Sequence, residues 1–149
     1  MQQAIQLVRL SEQAKTIEFK IDFSDEQWVS GSERQMVQIF VNLLNNACDV
    51  SQPNGVVEIK GYSSDGMHMV SVRDYGLGIK PEDQSRIFEP FYTTKSVGRG
   101  TGLGLSLVYS LVNEHGGKIS IDPTVNKGAC FEIRLPASLA SQFSQAPGI

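Results

Sequence analysis

Two glycine clusters hold the residues best placed to do chemistry: Asp74-Tyr75-Gly76-Leu77-Gly78-Ile79 and Gly100-Thr101-Gly102-Leu103-Gly104-Leu105. In the first, a carboxylate stands close to two glycines, so an acceptor oxygen and a bare backbone can meet one flat ligand together. The second opens an apolar helical stretch. The N–H groups of a helix's first turn have no partner within the helix and can face an anion. A base for one cluster and phosphates for the other make the ligand a nucleotide. Neither cluster is a common phosphate loop. No segment reads Gly-x-x-x-x-Gly-Lys-Ser/Thr. A dinucleotide-binding turn leaves a strand directly, whereas the polar run Tyr92-Thr93-Thr94-Lys95-Ser96-Val97-Gly98-Arg99 precedes Gly100 with no strand before it.

A second group lies in the stretch after Ser32-Glu33-Arg34-Gln35, a capping-box pattern that starts a helix running to about Asp49. Met36, Ile39, Phe40, Leu43, Leu44, Ala47 and Val50 follow the spacing of a core face. Gln35, Gln38, Asn42, Asn45, Asn46 and Asp49 fall on another arc of roughly 100°. Asparagine is a poor helix former, and a solvated helix face carries Lys, Glu and Arg rather than amides. The stripe therefore reads as functional. Amide oxygens are neutral hard ligands, suited to a Mg²⁺ that keeps its waters and bridges phosphates.

The elements that must position these groups alternate along the chain. A short helix is predicted over 5–14, starting almost at Met1 as if a longer helical region had been cut away. Strict alternation predicts a half-buried strand over 17–23. Strands over 56–61 and 67–73 pair through the turn 63–66, and the second delivers Asp74 at its end. A short helix over 81–87 and a longer one over 102–114 follow, then Gly116-Gly117 as a stop and a final strand pair, 118–122 with 129–135. The tail after Pro136 is rich in Ser, Ala, Gln and Pro and is expected to fray. This divides the chain into a boundary helix over 1–15, one domain over 16–136 and a tail over 137–149.

The 149 residues suit one domain with a single core. Thirteen basic and 16 acidic residues, net charge −3, form no long like-charge run, which leaves no nucleic-acid stripe and no membrane-facing basic patch. Cys48 and Cys130 show no Cys-x-x-Cys spacing and read as two buried reduced thiols, which points to a cytoplasmic setting. Apolar stretches are too short to span a bilayer and no signal-peptide layout opens the chain, although a larger parent can still be membrane-anchored.

Taken together, Asn42-Leu43-Leu44-Asn45-Asn46-Ala47, the Asp74 cluster, Phe88-Glu89-Pro90-Phe91-Tyr92-Thr93-Thr94-Lys95 and the Gly100 cluster resemble, in order and spacing, the four boxes of the sensor histidine kinases. The resemblance runs from about Ile5 to Pro136. It implies a Bergerat-type α/β sandwich: a mixed sheet with helices on one face, and ATP held between two helices under a mobile lid. By the same resemblance Asp74 accepts a hydrogen bond from the adenine amine. A carboxylate there would face the guanine carbonyl and reject GTP. Gly76 and Gly78 let the base approach. Asn46 resembles the Mg²⁺ ligand, with Asn42 one turn earlier supporting ion or phosphates. Lys95 and Arg99 would meet the terminal phosphates from the lid, and Gly100, Gly102 and Gly104 would give them backbone donors. Leu103 and Leu105 would anchor the helix beneath, while Asp49, Ile79, Thr94 and Thr101 would line the nucleotide. Phe88 and Phe91 would seat the lid.

Two positions depart from the pattern. Many members of the family have Lys or Arg where Asp49 stands, and Gly128-Ala129-Cys130-Phe131 lacks the hydroxyl of the usual Gly-Thr-x-Phe. The fold also serves ATPases such as DNA gyrase and the large heat-shock chaperones, where a glutamate one turn before the metal-binding asparagine activates water. Asn42 occupies that position and is no base. The implied activity is therefore phosphoryl transfer. Neither His68, in a strand, nor His115, ending a helix, has the setting of a phospho-acceptor. The accepting histidine is expected on dimerisation helices of the same parent, with a response regulator downstream. A protein serine kinase of the anti-sigma type and a non-catalytic nucleotide-binding module are the alternatives.

Overall fold

The computed structural model describes residues 1–24, 27, 29–96 and 100–138. Five strands form one sheet in the order β1-β2-β3-β5-β4: β1 (Glu18–Phe23), β2 (Val56–Ser64), β3 (Met67–Arg73), β4 (Lys118–Ile121) and β5 (Cys130–Pro136). β1 runs parallel to β2, and the other pairs are antiparallel, so the sheet is mixed. Helices α1 (Gln2–Val8), α2 (Glu33–Val50) and α4 (Gly104–Glu114) form the second layer, and a short helix α3 (Pro81–Gln84) follows β3.

Period-two alternation puts Val57 and Ile59 of β2, Val70 and Val72 of β3 and Phe131, Ile133 and Leu135 of β5 on the covered face, where they meet Ile39, Leu43 and Leu44 of α2 and Val108 and Val112 of α4. Ala4, Ile5 and Val8 of α1 join the same core. The opposite face carries groups such as Lys60, Tyr62 and Arg134, which are exposed. Among the described residues no helix is long and apolar enough to cross a membrane.

The elements differ from expectation mainly at their ends. The predicted helix over 5–14 is α1, ending at Val8, and a separate 3-10 turn at Ala14–Thr16. Ser11 causes the break: its hydroxyl donates to the Val8 carbonyl at 3.0 Å and accepts from Ala14 N at 3.3 Å, offering the backbone a partner outside the helix. β2 continues past residue 61 to Ser64, so the hairpin closes tightly on Asp65-Gly66. α4 starts at Gly104 rather than 102 because Gly102 has φ +66°. That is left-handed backbone, which no α-helix contains. Ser32 caps α2 as expected, accepting from Gln35 N at 3.4 Å, but the Gln35 side chain does not complete the box and instead donates to Glu114 of α4 at 3.2 Å.

Candidate functional site

β3 delivers Asp74 at its end, and the strand pairing with β5 extends one step further because Asp74 N donates to the Ala129 carbonyl at 2.9 Å. Asp74 is only 3% exposed. Its Oδ1 accepts from Gly76 N at 2.9 Å and from Ala129 N at 3.2 Å. Both donors take the same oxygen, so among the described residues Oδ2 accepts nothing. Burial pushes this carboxyl above its ordinary range, against the opposing pull of the Gly76 and Ala129 N–H groups and the Arg73 charge. The result is a fixed acceptor in a wall of low polarity.

A cavity of about 630 Å³ opens above it, a size within the range of small-molecule sites. Val50, Ile79, Ile87, Leu105 and Phe131 supply apolar lining around Asp74, Gly78 and Ala129. The far side is α2's amide stripe, where Asn42, Asn45, Asn46 and Asp49 all face the cavity. Asn42 Nδ2 donates to the Gln38 carbonyl at 2.8 Å, which leaves its Oδ1 turned towards α4. There Oδ1 lies 3.0 Å from the position a Cβ on Gly104 would occupy, so the two helices approach closely at this point. The Asn46 amide makes no hydrogen bond among the described residues and is free to ligate.

α4 supplies the anion-facing end. Its N-cap is Leu103, with no side chain capping the first turn, and the Thr101 hydroxyl accepts from Leu103 N at 3.3 Å. The N–H groups of that turn are left for a ligand, and the helix dipole favours negative charge there. After α3, residues 87–95 run along the cavity rim. Tyr92 donates its hydroxyl proton to Asp83, Arg86 stacks on the Tyr92 ring at 4.4 Å, and Phe88 packs on Tyr109 and Phe131 with ring centroids 5.7 and 6.4 Å apart. Lys95 reaches across the mouth to form an ion pair with Asp49.

Of the residues the sequence singles out, Asn42, Asn46, Asp49, Asp74, Gly78, Ile79, Thr94, Lys95, Gly100, Thr101, Gly102, Gly104 and Leu105 line this one cavity. Two stand beside it. Gly76 lies against the Val50 carbonyl and contributes its N–H to Asp74, and Leu103 is exposed at the helix start. Arg99 falls outside the described residues. Phe88 is packed against Tyr109 and Phe131, whereas Phe91 is exposed, with φ +66° and its N–H on the Gly102 carbonyl at 2.8 Å.

Sequence reasoning missed Val50, which read as core, Ile87 and Phe131, which read only as parts of a helix and a strand, and the rim residues Lys80, Asp83, Tyr92 and Thr93. It also missed Ala129 as a backbone donor. No side-chain signal marks that role; a strand predicted to end beside the end of another is the available hint. Both histidines are engaged elsewhere: His68 is buried and hydrogen-bonded to Ser63 Oγ at 2.7 Å, and His115 Nδ1 donates to the Leu111 carbonyl at 2.8 Å.

The donor set fits Mg²⁺ delivered with a polyphosphate. Among the described residues no cluster of three His, Cys, Asp or Glu side chains could hold a metal alone. Asn46 offers a neutral amide oxygen, and Mg²⁺ takes its remaining oxygens from water and phosphates in such sites.

Residues 31–139 match the family described as histidine kinase-, DNA gyrase B- and HSP90-like ATPase. The sensor kinase CckA of Brucella abortus (strain 2308) is 38% identical over 138 residues, covering 82% of this chain and 15% of that protein. The chain spans less than a third of the length of such curated relatives. Among solved structures, the mycobacterial sensor histidine kinase MprB superposes with a TM-score of 0.78 at 30% identity, covering 92% of this chain and 94% of that one. Full-length ShkA in complex with AMPPNP gives a TM-score of 0.78 at 29% identity over 92% of this chain and 29% of its own.

Proposed function

The chain belongs to the histidine kinase-, DNA gyrase B- and HSP90-like ATPase family, as an ATP-binding catalytic domain of the sensor histidine kinase kind, and we propose that its cavity holds Mg-ATP with the γ-phosphate directed at a histidine outside these residues. The observation that carries this reading is the pairing of ends: a buried acceptor, Asp74 Oδ2, at one end of the cavity, and at the other an uncapped helix start beside two asparagine amides.

Each end has its task. Asp74 Oδ2 accepts from the adenine amine, while Oδ1 stays locked to two backbone N–H groups. Guanine would set a carbonyl against that oxygen, leaving two acceptors face to face. The first-turn N–H groups of α4, with Gly100 and Gly102, cradle the phosphates. Asn46 would hold Mg²⁺, which supplies neutralisation of the charge on the transferring group. Asn42 stands where a water-activating base would act, and its amide has no proton affinity to offer. The domain therefore works by positioning. The bond that forms joins the γ-phosphorus to an imidazole nitrogen; the bond that breaks is the one to the bridging oxygen, which leaves with ADP.

The acceptor belongs to the wider protein in this reading. Residues 1–15 lead to histidine-bearing dimerisation helices, residues 16–136 form the catalytic unit and residues 137–149 a tail. A response regulator takes the phosphoryl group onward. The domain operates in the cytoplasm, whether or not its parent is membrane-anchored.

Calorimetric titration tests the core of this. Mg-ATP should give finite binding heat without sustained turnover, and GTP should bind at least ~50-fold more weakly. Adding isolated histidine-bearing helices of a related kinase with labelled ATP should move label onto the histidine. Continuous heat from ATP alone would identify a hydrolase instead, and binding without any label transfer would leave a passive nucleotide module.

A further inference from the structure

Asp49 is the carboxylate in this cavity with no structural duty. Among the described residues three carboxylates line the cavity, and two accept hydrogen bonds that hold the fold: Asp74 takes the Gly76 and Ala129 N–H groups and Asp83 takes the Tyr92 hydroxyl. The third, Asp49, points from the last turns of α2 and meets Lys95. Lys80 and Lys95 are the lining cations among the described residues. Among the described lining residues carboxylates outnumber cations by one, and the lysine that stands beside the phosphate-facing backbone is held by Asp49.

The stem of Lys95 is fixed while its head can swing. Its backbone N–H bonds to Thr93 Oγ1 at 3.1 Å, and its Cδ and Cβ lie 3.1 and 3.3 Å from where a Gly100 Cβ would stand. The missing side chain at residue 100 is what lets the stem lie alongside the phosphate-facing backbone. From that anchor the ammonium can reach Asp49 on one side or a phosphate on the other. Asp49 and Lys95 are 39% and 31% exposed at their side chains. Ion pairs in such partly wet positions are weak and readily exchanged, whereas a phosphate offers the ammonium several strong acceptors and a larger charge.

We propose that Asp49 is a specificity-determining residue that competes with the nucleotide's phosphates for Lys95, and so sets how strongly the site prefers ATP over ligands with fewer phosphates. This rests on the Mg-ATP reading of the cavity. Removing the carboxylate frees Lys95 and deletes a repulsive charge, so both effects act on phosphate-bearing ligands and neither acts on adenosine.

The test is a double-mutant cycle on the whole chain, titrating Mg-ATP, Mg-ADP and adenosine into wild type, Asp49→Asn, Lys95→Met and the double variant. Asp49→Gln serves as a second replacement, and circular dichroism verifies the fold of each. Asp49→Asn should tighten ATP by about three- to tenfold, tighten ADP less and leave adenosine within about twofold. Lys95→Met should cost more affinity for ATP in the Asp49→Asn background than in wild type, because only there is the ammonium fully released. ATP binding weakened by both Asp49 replacements would overturn the competition and make Asp49 a helper of Lys95. Equal losses from Lys95→Met in the two backgrounds, or equal gains for ATP and adenosine, would overturn it as well. A wild-type chain that binds neither ATP nor adenosine would overturn the nucleotide reading itself and this inference with it.

Discussion

At the scale of single residues, Asp74 carries opposing demands from folding and binding. Its carboxyl is pushed up by burial, so the folded chain holds that proton more tightly than the unfolded chain. Folding then takes up protons between the ordinary carboxylate range and the raised value. Asp74's contribution to stability is complete below the unfolded pKa and is lost as pH rises through the folded one. Binding has the opposite sign, since a protonated Oδ2 loses its charge and turns an O–H donor on the amine, which makes it a much poorer acceptor. ATP affinity should fall as pH is lowered through the Asp74 transition, which calorimetry from neutral pH down into the ordinary carboxylate range would follow. Asp74→Asn keeps an oxygen for the Gly76 and Ala129 N–H groups but turns an NH₂ on the adenine amine. Its melting temperature at neutral pH should be no lower than wild type, while ATP affinity drops by ~30-fold or more and loses its acid dependence. A variant that loses stability and affinity together would mean that Asp74 serves the fold first.

At the scale of elements, caps and strand ends decide where the site residues stand. Ser32→Ala removes the α2 cap and should cost about 0.5–1 kcal/mol in chemical denaturation, with ATP affinity unchanged because the cap lies at the other end of the helix from Asp49. Gly128→Ala is a sharper probe of the β3–β5 junction. Gly128 has φ +74°, and a Cβ on it would lie 2.0 Å from the Asp74 carbonyl oxygen. We expect a loss of at least ~2 kcal/mol, and weaker ATP binding as the Ala129 N–H leaves Asp74. Much of this level was legible in the sequence: alternation located the strands, and Asn42, Asn45, Asn46 and Asp49 of the polar stripe on α2 face the cavity, whereas Gln35 and Gln38 at its start are not among the lining residues and Gln35 pairs with Glu114. What the spacing could not encode is the partner. Periodicity assigns a face within one element, whereas the Ala129 N–H on Asp74 and the pairing of Lys95 with Asp49 join segments far apart in the chain. Val50 illustrates the ambiguity, since one apolar side chain on a core-like face ends up lining the cavity.

At the scale of the molecule, one core supports both layers, so damage remote from the cavity should lower stability without changing recognition. Leu44 is fully buried between α2 and the sheet. Leu44→Ala should cost about 2–5 kcal/mol, read from urea denaturation, while the folded fraction still binds ATP within about threefold of wild type. A large loss of affinity in that folded fraction would show that core packing is coupled to the cavity. The two cysteines offer a way to watch such openings. Cys48 sits in the helix layer at 2% exposure, and Cys130 lies on the sheet face opposite Phe131 at 6%; burial pushes both thiols up to about 11. Neither is a useful nucleophile near neutral pH while the chain is closed, so a thiol-reactive dye added to the native protein becomes a stopwatch with two hands, one for each layer. Equal labelling rates would mean that the sandwich opens as a whole, and unequal rates would tell which layer peels away first.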